Sequence, residues 1–339
     1  MPFVVVVATL LFGQVLDWAR LPDIPDAEGF AGGFAGTSGG AVIVAGGANF
    51  PQGRPWEGGR KVWHDRIFIL EEGAAAWRVA GRLPRPLAYG AAVSHDGRVV
   101  CIGGSDAGSH HAEVFSMRRD GESVAITKLS PLPRPLAMHC AAVVGDRVFV
   151  AGGAESPQAT EAACSLLSLD LADPAATWTA IEPWPGPGRI LATAGAIEGR
   201  LCVVGGAGLV PGVERGAERI WLRDAYLYDP VTGWTRLPDL PRPVVAAPSP
   251  AVAIGGDALV ILGGDDGGQV DREPATHRGF RRDPLAFDVA SHAWRSLADM
   301  PFALVTTATV RWKGGFVVPG GESRPGIRST EVWHGVPRP

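Results

Sequence analysis

Apolar residues gather in six short runs, and each run closes on a glycine pair. The runs are VIVA before Gly46-Gly47, VVCI before Gly103-Gly104, VFVA before Gly152-Gly153, LCVV before Gly205-Gly206, LVIL before Gly263-Gly264 and FVVP before Gly320-Gly321. Such runs read as buried strands that stop where the backbone needs a positive φ or a close approach, which a residue without a Cβ allows. Successive pairs lie 49 to 58 residues apart, so the chain is an internal repeat. A second marker recurs in phase with the first: Leu21-Pro22, Leu83-Pro84, Leu132-Pro133, Trp184-Pro185, Leu240-Pro241 and Met300-Pro301. A tryptophan precedes most of these, at Trp18, Trp77, Trp178, Trp234 and Trp294, and the second unit lacks it. Within the first unit the pattern predicts four strands, near residues 31–38, 41–45 and 66–71 and from Trp77 onward.

A four-stranded sheet cannot bury both of its faces alone. Stacking such sheets around an axis buries them and protects the strand edges. The period matches that of kelch repeats, and the prediction is an all-β, six-bladed kelch-type β-propeller over residues 14–339. After the last glycine pair only one further strand-like segment remains, near 330–334. The missing fourth strand is expected from the N-terminal side, near 15–19, so the last blade should be closed by the N-terminal strand.

Strand directions alternate within a blade. The connections between second and third strands, and those between blades, therefore share one face. On that face the sequence places long irregular stretches at 48–64, 207–224 and 265–283 and a shorter one at 322–329. The opposite face receives tight turns such as Gly39-Gly40 and Asp96-Gly97. Long loops concentrated on one side mark the functional face. The links between blades also carry Arg85, Arg134, Arg189 and Arg242, candidate substrate-binding residues that can point at the central opening; a solvated side chain or a rim salt bridge is the structural alternative.

Composition adds limits. The chain of 339 residues has 46 Gly and 29 Pro, as many short strands and turns require. A net charge of −4 argues against nucleic-acid binding. Arginine far outnumbers lysine, which occurs only at Lys61, Lys128 and Lys313, so arginine position carries more information than arginine number. Cys101, Cys140, Cys164 and Cys202 form no C-x-x-C pair, and Cys101 and Cys202 sit in apolar runs as small hydrophobes. The apolar run at residues 3–12 is too short to span a bilayer. It resembles the core of a secretory signal, so residues 1–13 are a candidate leader and the periplasm or the cell exterior is the expected location, with the cytoplasm as the alternative.

Glu322 directly follows the sixth glycine pair, where the other units carry Ala48, Ser105, Ala154, Ala207 and Asp265. Arg328 lies six residues on, in GGESRPGIRSTEV. A carboxylate and a guanidinium in one constrained loop suit a proton acceptor and an anion clamp; a loop-bracing ion pair is the structural alternative. The histidines show no metal spacing, the glycine-rich 29–36 stretch precedes a strand rather than a helix, and no serine nucleophile elbow is present. No metal or organic cofactor is expected.

At this loop the chain resembles the kelch-type N-acetylneuraminate epimerases (sialic acid mutarotases), in particular their cyclically permuted group. Residues 28–65 (EGFAGGFAG…VIVAGGANF…EGGRKVWHD) resemble that family's first-blade block, and GESRPGIRSTEV resembles its G-E-x-x-P-G-x-R-T motif. The resemblance implies an isomerase that interconverts the α and β anomers of a sialic acid. It implies Glu322 as proton acceptor and Arg328 as the residue that binds or polarises the substrate. Asn49 and Glu57 of the first-blade block join the candidate substrate-binding residues. So does Tyr89, which with Gly90 matches part of an R-A-Y-G element in which this chain has Leu87 at the arginine. A small-molecule sugar is the expected partner. The rival class is a non-catalytic kelch module that binds protein through the same face.

Overall fold

The computed structural model of the chain describes residues 16–212 and 216–338. The candidate leader at 1–13 lies outside the described residues. Six four-stranded antiparallel sheets form the six blades of a propeller. From the axis outward, blade one is Phe34–Ser38, Ala41–Ala45, Arg66–Leu70 and Arg78–Arg82. Blades two to five repeat the order, with innermost strands Ala91–His95, Cys140–Val144, Thr193–Ile197 and Val252–Ile254. Blade six runs Val310–Trp312, Gly315–Arg324, Ile327–Pro337 and then Leu16–Leu21.

The outer strand of blade six is thus the N-terminal one. It pairs antiparallel along its whole length, from Leu16 opposite Pro337 to Leu21 opposite Val332. The ring closes through backbone hydrogen bonds between segments at opposite ends of the chain, so two loose strand edges become one ladder.

The core is six cores, one between each pair of adjacent blades. The apolar runs recognised in the sequence supply their centres: Ile43, Cys101, Val150, Val203, Ile261 and Val317 are all fully or almost fully buried. Burying each such aliphatic side chain contributes about 1.5–3 kcal/mol. The glycine pairs stitch neighbouring blades together. A Cβ on Gly152 would sit 2.3 Å from the Arg189 carbonyl of the next link, and Gly153, at φ 104°, donates its N–H to that same carbonyl at 2.8 Å. The tryptophans form a second set of stitches. Trp77, Trp178, Trp234 and Trp294 each donate the indole N–H to a backbone carbonyl of the preceding blade, at 2.7–2.9 Å. Among the described residues no helix is long and apolar enough to cross a membrane.

Candidate functional site

Both kinds of long connection do lie on one face, and they enclose a central cavity of about 470 Å³. That volume is in the range of small-molecule sites. Its floor is a feature of the backbone. Gly32 donates its N–H to Thr306, Tyr89 to Gly32, Met138 to Tyr89, Leu191 to Met138, Ala246 to Leu191 and Thr306 to Ala246, all at 2.7–2.8 Å. These six bonds form a closed ring about the axis, with one residue from the start of each blade. All six residues are left-handed, with φ between 54° and 69°. Five of them carry a Cβ, and that conformation costs each about 1–2 kcal/mol. The ring persists because each residue is held twice, by the ring and by the two-way bridge of its predecessor to the residue after a glycine pair, as Val305 with Glu322 or Ala88 with Ser105. Five strained residues around one cavity mark a built floor.

Glu322 and Arg328 stand at the edge of this floor. The stretch 322–329, expected as an irregular loop, is instead the end of a β-hairpin continuous with the second and third strands of blade six. Glu322 lies opposite Arg328 across it, and Pro325-Gly326 makes the turn. The turn rests on blade one: a Cβ on Gly326 would come within 3.0 Å of Pro55 and Trp56. Both residues line the cavity. The Glu322 Oε1 accepts the Gly326 N–H at 2.6 Å. Arg328 Nη1 forms an ion pair with the same oxygen at 2.6 Å. Arg328 Nε donates to the Ala48 carbonyl at 3.2 Å, and its guanidinium lies 5.0 Å from the centre of the Phe50 ring. The pair is therefore assembled where blade six closes on blade one, across some 280 positions of chain. Among the described residues no hydrogen bond reaches Glu322 Oε2.

Tyr89 lines the cavity as a member of the ring. The other candidates sit elsewhere. The four link arginines were candidates for the central opening, with ion pairs at the rim as the alternative; none lines the cavity. Each is turned to a carboxylate of its own blade: Arg85 to Glu113 at 3.1 Å, Arg134 to Glu155 at 3.0 Å, Arg189 to Asp224 at 2.7 Å and Arg242 to Asp283 at 3.4 Å. The physical reason is visible in the repeat. Glu113, Asp224 and Asp283 stand just before the third strands of their blades, within reach of the link that enters the blade. Asn49 is also structural in position. It is 1% exposed, donates to Asp26 at 3.1 Å and meets His64 Nε2 at 2.7 Å. Glu57 closes the short 3-10 turn Pro55–Glu57 by accepting the Arg54 N–H at 2.9 Å, outside the cavity lining.

Several residues that sequence reasoning did not single out line the cavity, among them Asp106, Arg219, Lys61, noted only as a rare lysine, and His110. The His110 Nδ1 donates to the Ala154 carbonyl at 2.9 Å, which leaves Nε2 with the lone pair. Burial lowers its pKa, the bond to Ala154 opposes this, and His111 adds to the lowering, so the ring is neutral at physiological pH.

Below the floor lies a smaller axial cavity of about 70 Å³, lined by His139 and small residues such as Gly33, Gly90 and Ala192. Neither His139 nitrogen has a well-formed partner. Burial pushes its pKa down to about 4, against a pull upward from the Ile102 carbonyl and with a small push from His110. The unfolded chain binds this proton near pH 6.5 and the folded protein does not, so stability is full above pH 6.5 and is lost as pH falls toward 4. The expected loss from this residue is as much as about 3 kcal/mol. Denaturant unfolding between pH 7 and 4 measures it: His139→Leu should flatten the slope, and an equal slope in both proteins would remove His139 as its source.

Residues 5–126 match the family model of N-acetylneuraminate epimerase. The N-acetylneuraminate epimerase of Yersinia pestis (strain Pestoides F) is 40% identical over 114 residues, 29% of each chain. That of Brucella suis is 37% identical over 125 residues, 32% of each chain, and that of Haemophilus influenzae (strain PittEE) is 35% identical over 126 residues, 33% of each. The chain thus aligns with about a third of the length of these curated relatives. The matched family stretch takes in blade one and most of blade two, with Asn49, Glu57, Lys61 and Tyr89, and ends before the hairpin of blade six. A solved structure described as "Structure of YjhT" superposes with a TM-score of 0.64 over 79% of this chain and 84% of that one, at 15% identity, and shares the fold.

Proposed function

We propose that the chain is a sugar anomerase of the N-acetylneuraminate epimerase type, acting in the periplasm or outside the cell. The observation that carries the reading is the Glu322–Arg328 pair, presented at the rim of a floored central cavity with one carboxylate oxygen free of hydrogen bonds among the described residues. The partial similarity to N-acetylneuraminate epimerases supports the substrate class.

Anomerisation needs little apparatus. Glu322 Oε2 accepts the proton of the anomeric hydroxyl. The bond from the anomeric carbon to the ring oxygen breaks, its electron pair goes to the ring oxygen, and that oxygen takes a proton from Glu322 or from water. The carbonyl so formed rotates about its bond to the chain, and reclosure on the other face reverses every transfer. Arg328 holds positive charge beside the oxygen that loses its proton, in a site partly shielded from water where such charge acts strongly. Positioned proton transfer contributes about 10²–10⁴-fold, which suffices for a reaction that already proceeds in water.

The test is proton NMR of freshly released α-N-acetylneuraminate. Catalytic amounts of protein should bring it to the β anomer well ahead of the spontaneous rate. Equilibration at the spontaneous rate, with a protein partner captured stoichiometrically by the same face, would instead support an interaction module.

A further inference from the structure

A sugar acid brings a carboxylate that needs a cation, and most charges around the cavity are taken, although Arg219, exposed on the strand Ala217–Trp221, is a second cation on the lining. Arg328 faces Glu322. Asp106 accepts from Gly108, Ser109 and His111, and Asp265 accepts from Trp221 and Gly267. The four link arginines are committed inside their blades. Lys61 differs. Its ammonium lies 5.0 Å from the centre of the Tyr89 ring, 5.6 Å from Trp63 and 5.8 Å from Phe50, and among the described residues no carboxylate stands within ion-pair distance. Aromatic faces hold an ammonium in place without neutralising it. Its place is also defined relative to the catalytic pair: the Phe50 ring that it touches is the one over which Arg328 lies at 5.0 Å. Lys61 is moreover one of three lysines in a chain that otherwise uses arginine, and Lys313 is engaged with Glu72 at 2.5 Å.

We propose that Lys61, held in the Phe50–Trp63–Tyr89 cage, is the counter-ion that binds the substrate's carboxylate and so selects sugar acids over neutral sugars. This rests on the reading of the cavity as an anomerase site. The bound carboxylate sets the anomeric carbon toward Glu322, and Tyr89, fixed by the floor ring, sets the depth of the cage. Lys61 is a binding and positioning residue that takes no proton.

The experiment compares the wild-type protein with Lys61→Met and Lys61→Arg, using N-acetylneuraminate and its methyl ester. Binding is read by calorimetry and anomerisation by NMR. Lys61→Met should weaken binding of the acid and raise its KM by about tenfold or more, the size of one charge-assisted contact, with a much smaller change in kcat. The methyl ester should bind wild type and Lys61→Met alike, and Lys61→Arg should keep most of the affinity for the acid. A wild type that catalyses, with Lys61→Met unchanged in KM and affinity, overturns the assignment of Lys61 and leaves the anomerase reading standing. A wild type that binds the acid through Lys61 without accelerating anomerisation keeps Lys61 and overturns the anomerase. Absence of binding by wild type overturns both.

Discussion

Glu322→Gln should lower the catalysed rate of α-to-β equilibration at least about 100-fold while leaving the propeller folded. The size follows from the loss of a positioned proton acceptor. The amide oxygen of glutamine can still accept the Gly326 N–H that shapes the hairpin, and Arg328 keeps its bond to the Ala48 carbonyl and its seat over Phe50. The hairpin geometry is therefore maintained, and the change falls on chemistry. Circular dichroism with NMR rate measurement separates the two. A folded variant that equilibrates the anomers at the wild-type rate would remove Glu322 from the mechanism and would return the pair to the status of a loop brace.

The largest effect on stability is expected at Arg189. It is fully buried, and its guanidinium meets Asp224 at 2.7 Å and the Gly205 carbonyl at 2.9 Å, with the Trp184 ring 4.9 Å away. Its backbone carbonyl occupies the place in the repeat that Leu87, Leu136 and Val244 occupy elsewhere, each accepting from the second glycine of a pair. An arginine stands where other blades have an apolar side chain. Arg189→Leu should therefore fit the space and still destabilise by about 3–5 kcal/mol, because it strands the Asp224 carboxylate. Removing that carboxylate as well, in Arg189→Leu/Asp224→Ala, should recover most of the loss, since a buried ion pair replaced by apolar groups is often neutral. Urea unfolding of the two variants reads this. Activity per folded molecule should stay at the wild-type level, because Arg189 does not line the cavity. Loss of activity without loss of stability would restore it to the substrate site.

Much of this architecture is legible in the chain because it is written in repeated side chains. The glycine pairs mark both the strand ends and the stitches between blades, and the spare strand near Leu16–Leu21 announces the composite blade. Glu322 is legible for the same reason in reverse, as a departure, with Asp265, from the small uncharged residues at its place in the repeat. What the chain conceals is set by the backbone or by offsets of a residue or two. The floor ring uses Gly32, Tyr89, Met138, Leu191, Ala246 and Thr306, which share no side-chain chemistry, since the bonds are between main-chain groups. Arg189 stands two residues before its ring member, whereas Arg85, Arg134 and Arg242 stand four before theirs, so grouping the four as link arginines hid the fully buried Arg189 beside the exposed pairs of Arg85 and Arg134. The hairpin at 322–329 has polar residues on both arms and no alternation of apolar ones, so it reads as a loop. Lys61 is visible only as an odd residue choice until folding brings Phe50, Trp63 and Tyr89 around it.

Blade six and blade one must meet to hold one sugar acid above the floor ring. A crystal structure of Glu322→Gln soaked with N-acetylneuraminate tests that directly. The account predicts the sugar in the central cavity, its anomeric oxygen within hydrogen-bond reach of residue 322 and its carboxylate on Lys61. A sugar seated in another groove, or a central cavity that stays empty at saturating ligand while an outer blade surface is occupied, would contradict it.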